Sequence, residues 1–579
     1  GASNTTANYN TAVGALSFDA NSTGASNTAL GYSALTANTT AASNVSIGAD
    51  SMTTNTTGAE NVAVGASALY TNATTNYNVA IGAGALYANA AANNTAVGYH
   101  ALFANTTGTK NQAFGGAAGD ALTTGGNNIA IGYEALTSDT QGSKTVAVGV
   151  GALAVQNFTT ATDVYNVGVG HDAGVATTTG SANTFIGGLA GKGNTTASDN
   201  TAVGRSALES NTTGASNTAV GRSSLISNTT GAANTGVGYN SLGANTTANN
   251  NTGFGAYTLE DNTTGTANTA VGAGALKNNT TADNNTAVGL DALMFNTTGT
   301  ENTAVGYESL KRTTTGSYNV ALGVKSGDEI SSGNYNVAIG RSALRAAQTV
   351  DGNVAIGASA LERYTGASNT AVGNAALAFC TTGTGNTAVG NQAGYDLTTA
   401  VQNTLVGSVA GTNVTTGNNN VFMGYGAGDA NTTGTPNTAV GVAAYGSGGA
   451  GGGGQNTAIG YQSLTSADDG GNYNTALGHQ AGYYITTGDY NVSIGRAADQ
   501  VTVAGGPNTC IGASAKPSAA GTSHEIVLGY NVTGVGASSV TIGNGSTTTS
   551  VGLGSANWSG TSDERLKEDI KDEVVGLGF

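Results

Sequence analysis

A short pattern of hydrophobic and polar residues returns at a fixed interval along almost the whole chain. Its clearest form is Asn-Thr-Ala-Val-Gly, which ends in a glycine that we call the anchor glycine. Most successive anchor glycines are 17 residues apart, and we count 32 of them between Gly14 and Gly543. A regular period with one apolar step per repeat predicts an all-β, parallel β-solenoid (a β-roll or β-helix) in which each repeat forms one coil.

The residues just before the anchor glycine predict how the coils pack. We number positions from that glycine, so that position −1 is a large apolar residue (Val, Ile, Leu, Phe or Met), as at Val64 and Val220, and position −2 is mostly alanine, as at Ala63 and Ala219. Neighbouring side chains of a strand point to opposite faces, so both faces are predicted to be buried. We expect the large residue to fill the coil interior and the small one to admit a second chain, which favours a parallel homotrimer. Phe185, Leu405 and Phe422 occupy position −2 and depart from this pattern locally.

Asparagine occupies position −4 in 29 of the 32 repeats. Asparagines stacked in register on successive coils can form an amide ladder, and asparagine also tolerates the tight conformations of coil corners. We therefore expect structural roles for these asparagines and for the anchor glycines, for example Asn27, Asn61, Asn217, Asn302, Gly31, Gly65, Gly221 and Gly306.

The segment Asn-Thr-Thr-Gly, as at 211–214, predicts an exposed turn that closes each coil. Extra residues are expected in such turns, and the insertions at 156–163 and 448–454 both fall between anchor glycines. Asn-Thr-Thr also matches the N-glycosylation pattern, although turn chemistry alone explains it. An ice-binding array is disfavoured, because flat rows of threonine would require Thr-x-Thr on a strand. At roughly 4.8 Å per coil, the stack is predicted to be about 150 Å long.

Composition excludes several classes of protein. Glycine accounts for 92 of the 579 residues and only 9% are charged, yet 39% are hydrophobic and recur at fixed spacing, which argues against disorder. A net charge of −16 without a basic stripe argues against a nucleic-acid partner. No apolar run reaches about 18 residues, so we expect no membrane insertion.

Candidate catalytic and metal-binding residues are sparse in the repeats. The four histidines are scattered over distant repeats, and the carboxylates are isolated, so we expect no cofactor, no metal and no enzyme acting on an outside substrate. Cys380 and Cys510 are separated by 130 residues and fall in distant coils, which argues against an intrachain disulfide.

The C-terminal 18 residues are charged and free of the repeat. They read Ser-Asp-Glu-Arg-Leu-Lys, then an acidic stretch predicted to be helical, and Gly-Leu-Gly-Phe. This segment resembles the opening of the intramolecular chaperone domain of phage tail fibres and endosialidases, the S74 peptidase family. The resemblance implies a trimer and self-cleavage of a longer precursor between Ser562 and Asp563, with Lys567 activating Ser562. The repeats are also similar to the β-roll heads of trimeric autotransporter adhesins.

The sequence therefore predicts three segments: a β-solenoid shaft at 1–543, a stalk or linker at 544–561, and the start of a truncated chaperone-like segment at 562–579. Because the chain starts inside a repeat and stops within the motif, we expect it to be a piece of a longer product. The leading hypothesis is a structural fibre of a virion, a phage tail or side fibre, which contacts a host receptor or glycan and other virion proteins. The alternatives are an extracellular or cell-surface trimeric adhesin and a polysaccharide depolymerase.

Overall fold

The protein folds as an all-β parallel solenoid with about 17 residues per coil, as the repeats predict. The structure, a computed structural model, describes residues 3–446, 453–467 and 470–552. It divides into two compact units, Gly1–Tyr318 and Asn319–Phe579, and no helix occurs among the described residues of either unit.

In the first unit, each coil contributes one short strand, and successive strands pair in parallel and in register. Thr201 pairs with Thr218 and Val203 with Val220, so equivalent positions stack directly. An insertion of exposed residues at 159–161 precedes the short strand β11, which pairs with β9 of the preceding coil. The strands are β1 (Thr11–Val13), β2 (Thr28–Leu30), β3 (Val45–Ile47), β4 (Val62–Val64), β5 (Val79–Ile81), β6 (Thr95–Val97), β7 (Gln112–Phe114), β8 (Ile129–Ile131), β9 (Gly142–Ser143), β10 (Val146–Val148), β11 (Thr162–Asp163), β12 (Val167–Val169), β13 (Thr184–Ile186), β14 (Thr201–Val203), β15 (Thr218–Val220), β16 (Thr235–Val237), β17 (Thr252–Phe254), β18 (Thr269–Val271), β19 (Thr286–Val288) and β20 (Thr303–Val305).

The second unit repeats this arrangement and ends differently. Its parallel pairing continues as far as β34, after which β35 turns back and pairs antiparallel, with Val540 opposite Val551. This hairpin lies partly within the predicted linker at 544–561. The strands are β21 (Val320–Leu322), β22 (Val337–Ile339), β23 (Val354–Ile356), β24 (Thr370–Val372), β25 (Thr387–Val389), β26 (Thr404–Val406), β27 (Val421–Met423), β28 (Thr438–Val440), β29 (Thr457–Ile459), β30 (Thr475–Leu477), β31 (Val492–Ile494), β32 (Thr509–Ile511), β33 (Ile526–Gly529), β34 (Ser539–Gly543) and β35 (Thr548–Gly552).

The interior of a coil is narrow and filled from five positions. In the coil anchored at Gly204, the inward residues lie at positions −4, −2, +3, +4 and +7, and each is at most 1% exposed. Small apolar, large apolar and amide side chains therefore share one thin core. These five residues are Asn200, Ala202, Ala207, Leu208 and Asn211.

The two faces of the strand are the reverse of what the sequence predicted. Ala63 and Ala219 are fully buried inside their own coils, whereas Val64 and Val220 point outward and are partly exposed. The cause is strand alternation, which places position −2 on the same side as the inward asparagine at position −4. Since leucine at position +4 already fills the interior, the large residue at position −1 is left outside.

The coils with Phe185, Leu405 or Phe422 at position −2 have a glycine at position +4. The ring of Phe185 lies in the space that leucine fills elsewhere, and a Cβ on Gly191 would come within 2.3 Å of it. On the other side of the ring, a Cβ on Gly174 would come within 2.6 Å. Leu405 and Phe422 face Gly411 and Gly428 in the same way. The interior volume is thus kept nearly constant, as close packing requires.

The anchor glycines are needed because successive coils touch at this point. A Cβ on Gly31 would lie 2.4 Å from the carbonyl oxygen of Gly48 in the next coil, and one on Gly65 would lie 2.5 Å from that of Gly82. Gly221 and Gly306 have backbone φ angles of 125° and 135°, a region that disfavours any side chain. Each anchor glycine therefore fixes the close approach of two coils.

Candidate functional site

An asparagine ladder runs inside the solenoid at position −4. The backbone N–H of Asn61 donates to Oδ1 of Asn44 in the preceding coil at 2.9 Å, while Nδ2 of Asn61 donates to the carbonyl oxygen of Thr75 at 2.8 Å. Asn27, Asn217 and Asn302 lie in the same column and are at most 1% exposed. Their buried amides satisfy backbone groups of neighbouring coils, so these asparagines hold the stack together and present nothing to a ligand.

A second asparagine ladder was missed by the sequence analysis. It consists of the asparagine of Asn-Thr-Thr-Gly at position +7, and Asn211 and Asn228 in this column are fully buried. Nδ2 of Asn228 donates to Oδ1 of Asn211 and to the carbonyl oxygen of Gly231, both at 2.9 Å. The expectation of a fully exposed turn is wrong at this residue. Glycosylation of such an amide would require the coil to open.

The outward strand face is an apolar surface that follows the strands. We define it as positions −3 and −1 of every coil. In the first unit, position −3 is threonine in every strand from β13 to β20, while position −1 carries half-exposed aliphatic or aromatic side chains such as Leu30 and Phe254. In the second unit, Met423 and Leu477 are exposed at position −1 by 42% and 45%. Such a continuous apolar stripe is unusual on a soluble monomer.

A second surface carries most of the charged and aromatic residues. We call positions +1, +2, +5 and +6 the variable face. The rings of Tyr70 and Tyr87 stack there with centroids 5.0 Å apart, and Phe103 extends the column at 4.9 Å from Tyr87. Elsewhere, Nζ of Lys311 lies 2.6 Å from Glu308 and 3.3 Å from Asp291. The hydrogen bond that Lys311 donates to Glu308 raises the pKa of Lys311. The stacked rings and the Lys311–Asp291 pair join successive coils, whereas Glu308 lies in the same coil as Lys311.

The groups that often serve in catalysis are dispersed. No group of three or more His, Cys, Asp or Glu residues that could hold a metal ion occurs in the described part of the chain. Cys380 and Cys510 are free and buried, and burial raises the pKa of the Cys380 thiol to about 12, which leaves it protonated and unreactive near neutral pH. His100 stacks between Tyr99 and Phe103.

The residues implied by the C-terminal resemblance, Ser562, Asp563 and Lys567, lie outside the described residues. The described residues contain no helix that is long and apolar enough to cross a membrane. No protein-family model, no curated protein and no solved structure matches this chain. The class of the molecule thus rests on its structure alone, which is a repetitive parallel β-solenoid.

Proposed function

We propose that this chain is a structural fibre of a virion that spans distance and contacts a host surface, and that its copies assemble as a parallel homotrimer. The surface that joins the copies is the outward strand face, and the variable face is left to meet the host. The sequence predicted that the alanines at position −2 form the contact between chains, but those alanines are buried inside their own coils. We therefore assign the contact to the outward strand face, which includes the large residue at position −1.

The observation that carries the proposal is the unbroken apolar stripe. With strands about 4.8 Å apart and the side chains at positions −3 and −1 facing outward on each three-residue strand, the outward strand face of the first unit is about 80 Å long and about 10 Å wide. That is about 800 Å², the area each partner buries in a standard protein interface. The inward core of each coil is thin, so association along this stripe would add stability that a single solenoid lacks.

The C-terminal resemblance supports the virion over other settings. Chaperone segments of the S74 type imply trimeric fibres that are cut after assembly, and we propose cleavage between Ser562 and Asp563 in the full-length precursor. Expression of that precursor with Ser562→Ala should leave the chaperone attached, as a single longer band on a denaturing gel.

The second candidate, a cell-surface adhesin, is favoured by the likeness of the repeats to trimeric adhesin heads. An export signal or membrane anchor in the full-length gene would favour it.

The mass of the native particle tests the assembly. Light scattering on material made with a complete C-terminal chaperone should give three times the chain mass of 56.1 kDa. Replacing Val203 and Val220 on the outward strand face with lysine should reduce the mass toward that of one chain, because two charges per copy would be buried without partners.

A matched control places the same charges elsewhere on the same coils. Thr213 and Thr230 are exposed at position +9, and their replacement with lysine should leave the mass unchanged. A wild-type particle with the mass of one chain, stable and folded by circular dichroism, would refute the trimeric fibre.

A further inference from the structure

A shallow cleft of about 190 Å³ lies on the variable face of the second unit. It exists because a short residue interrupts a column of long ones at position +5. Glu362 and Tyr395 occupy that position in the coils on either side, whereas Ala378 occupies it in the coil between them. Ala378 forms part of the floor and is 5% exposed.

The walls of the cleft combine aromatic and polar groups. The ring of Phe379 meets that of Tyr395 edge to face, with centroids 4.8 Å apart. The guanidinium of Arg363 lies 4.9 Å from the centroid of Phe379, and Glu362 also lines the cleft. Asn374 contributes an amide at the rim. Ring faces, donors and a carboxylate acceptor therefore converge on one small volume.

The charges around the cleft are balanced. Nη1 of Arg345 lies 3.7 Å from Oε1 of Glu362, and the cation of Arg363 rests against an aromatic ring. A strongly anionic ligand would have to compete with Glu362, and a cationic one with the two arginines. This balance favours a neutral polar ligand.

We propose that the cleft binds one neutral hexose residue of a cell-surface polysaccharide. Its volume is below the roughly 300–1,000 Å³ of sites that enclose drug-sized ligands, which suits one sugar ring held from one side. The C–H groups of the sugar pack on Phe379 and Tyr395, its hydroxyls donate to Glu362, and Arg363 and Asn374 donate to its oxygens. The inference rests on the proposed function, because it names what the fibre would recognise on a host.

The test is a saturation-transfer NMR titration of the intact protein with the methyl glycosides of glucose, galactose, mannose and N-acetylglucosamine. At least one should bind with a millimolar dissociation constant. Phe379→Ala should weaken binding at least tenfold by removing the stacking surface, and Glu362→Gln should weaken it severalfold. Ala378→Tyr should abolish binding by filling the cleft, and the fold should accept it because Tyr70 and Tyr87 occupy the same position in other coils.

Matched controls lie on the variable face of the first unit. Phe295→Ala at position +6 and Ala154→Tyr at position +5 repeat the two changes away from the cleft and should leave binding intact. No binding of any of the four glycosides to the wild type, or binding that survives Ala378→Tyr, would overturn the proposal. Light scattering on the same samples separates the two hypotheses, since a trimer without glycoside binding refutes only the cleft, and a monomer that binds refutes only the trimer.

Discussion

At the scale of single residues, the solenoid depends on backbone conformations that side chains usually avoid. In the coil anchored at Gly204, three non-glycine residues at positions +2, +4 and +12 have positive φ: Ser206, Leu208 and Ser216, at 57°, 53° and 59°. An L-residue in this region costs roughly 1–2 kcal/mol relative to the right-handed one. Hydrogen bonds to adjacent coils, such as the one from Ser216 N–H to the carbonyl oxygen of Ser198, hold these residues in place.

Replacing a strained exposed residue with glycine should therefore stabilise the protein. Ser216→Gly is expected to raise the free energy of unfolding by about 0.5 kcal/mol, because relief of the left-handed strain exceeds the added entropy of the unfolded chain. Ser210→Gly, at an exposed position whose φ is not positive, should lower it by about the same amount. Urea unfolding followed by circular dichroism measures both, and a destabilising effect of Ser216→Gly would contradict the strain argument.

A second residue-scale effect concerns Asp429. Burial raises the pKa of this carboxyl to about 6, against weaker opposition from backbone N–H groups. The folded state therefore holds the proton more tightly than the unfolded state, so the contribution of Asp429 to stability falls as pH rises from about 4 to about 6 and stays low above that. Asp429→Asn should raise the melting temperature at pH 7.5.

The difference in melting temperature between Asp429→Asn and the wild type should shrink toward zero near pH 4, where Asp429 is protonated in the folded protein. Asp396→Asn, which removes one charge from the same unit, is the control for the loss of a negative charge. An equal difference in melting temperature at pH 4 and pH 7.5 would show that it does not arise from proton binding by Asp429.

At the scale of the element, each coil obeys a volume rule. In most coils the interior accepts one of three combinations: alanine at position −2 with leucine at position +4, a large residue such as Phe185 at position −2 with glycine at position +4, or alanine at position −2 with glycine at position +4 and leucine or isoleucine at position +7. Asn211 and its equivalents at position +7 complete the first arrangement, whereas Leu122 and Leu397 take that place in other coils. Asparagine and leucine can both occupy position +7, because the buried asparagine side chains form their hydrogen bonds within the ladder.

The volume rule predicts compensation between Phe185 and Gly191. Phe185→Ala should cost about 3 kcal/mol because it leaves a cavity. Gly191→Leu alone should cost about 2 kcal/mol by overfilling the coil, although its φ of 59° matches that of leucines at the same position. The double variant should recover at least half of the Phe185→Ala loss, as measured by thermal unfolding. Additive losses would mean that the two sites do not share one space.

The sequence sufficed to predict the coils and their strands, because the anchor glycine and the large apolar residue before it recur in every repeat. It misled on which strand face is inside. The information was present, since Asn217 and Ala219 are two residues apart and must share a face. The second ladder was harder to predict, because Asn-Thr-Thr-Gly is typical of exposed turns. The asparagine at position +7 is buried because of the path that the chain takes after Leu208 and its equivalents. The spacing of residues along the sequence does not specify that path.

At the scale of the whole molecule, the described coils of each unit contact mainly the coils before and after them in that unit. In such a structure, stability is a sum of coil and interface contributions. A fragment of the first unit spanning 198–318 should therefore unfold at a lower urea concentration than one spanning 3–318, with a smaller dependence on denaturant because less surface is exposed. Circular dichroism of both fragments checks this, and equal midpoints would contradict nearest-neighbour behaviour.

The stacked anchor glycines also bear on how such a gene can change. Within each unit, most coils offer the next one the same carbonyl, the same amide and the same strand edge, so removal or duplication of a whole repeat restores an equivalent junction. A shift by part of a repeat would place a side chain against the carbonyl that now faces glycine. Recombination between near-identical DNA repeats can therefore lengthen or shorten the protein in whole-coil steps, and the number of coils becomes a heritable trait open to selection.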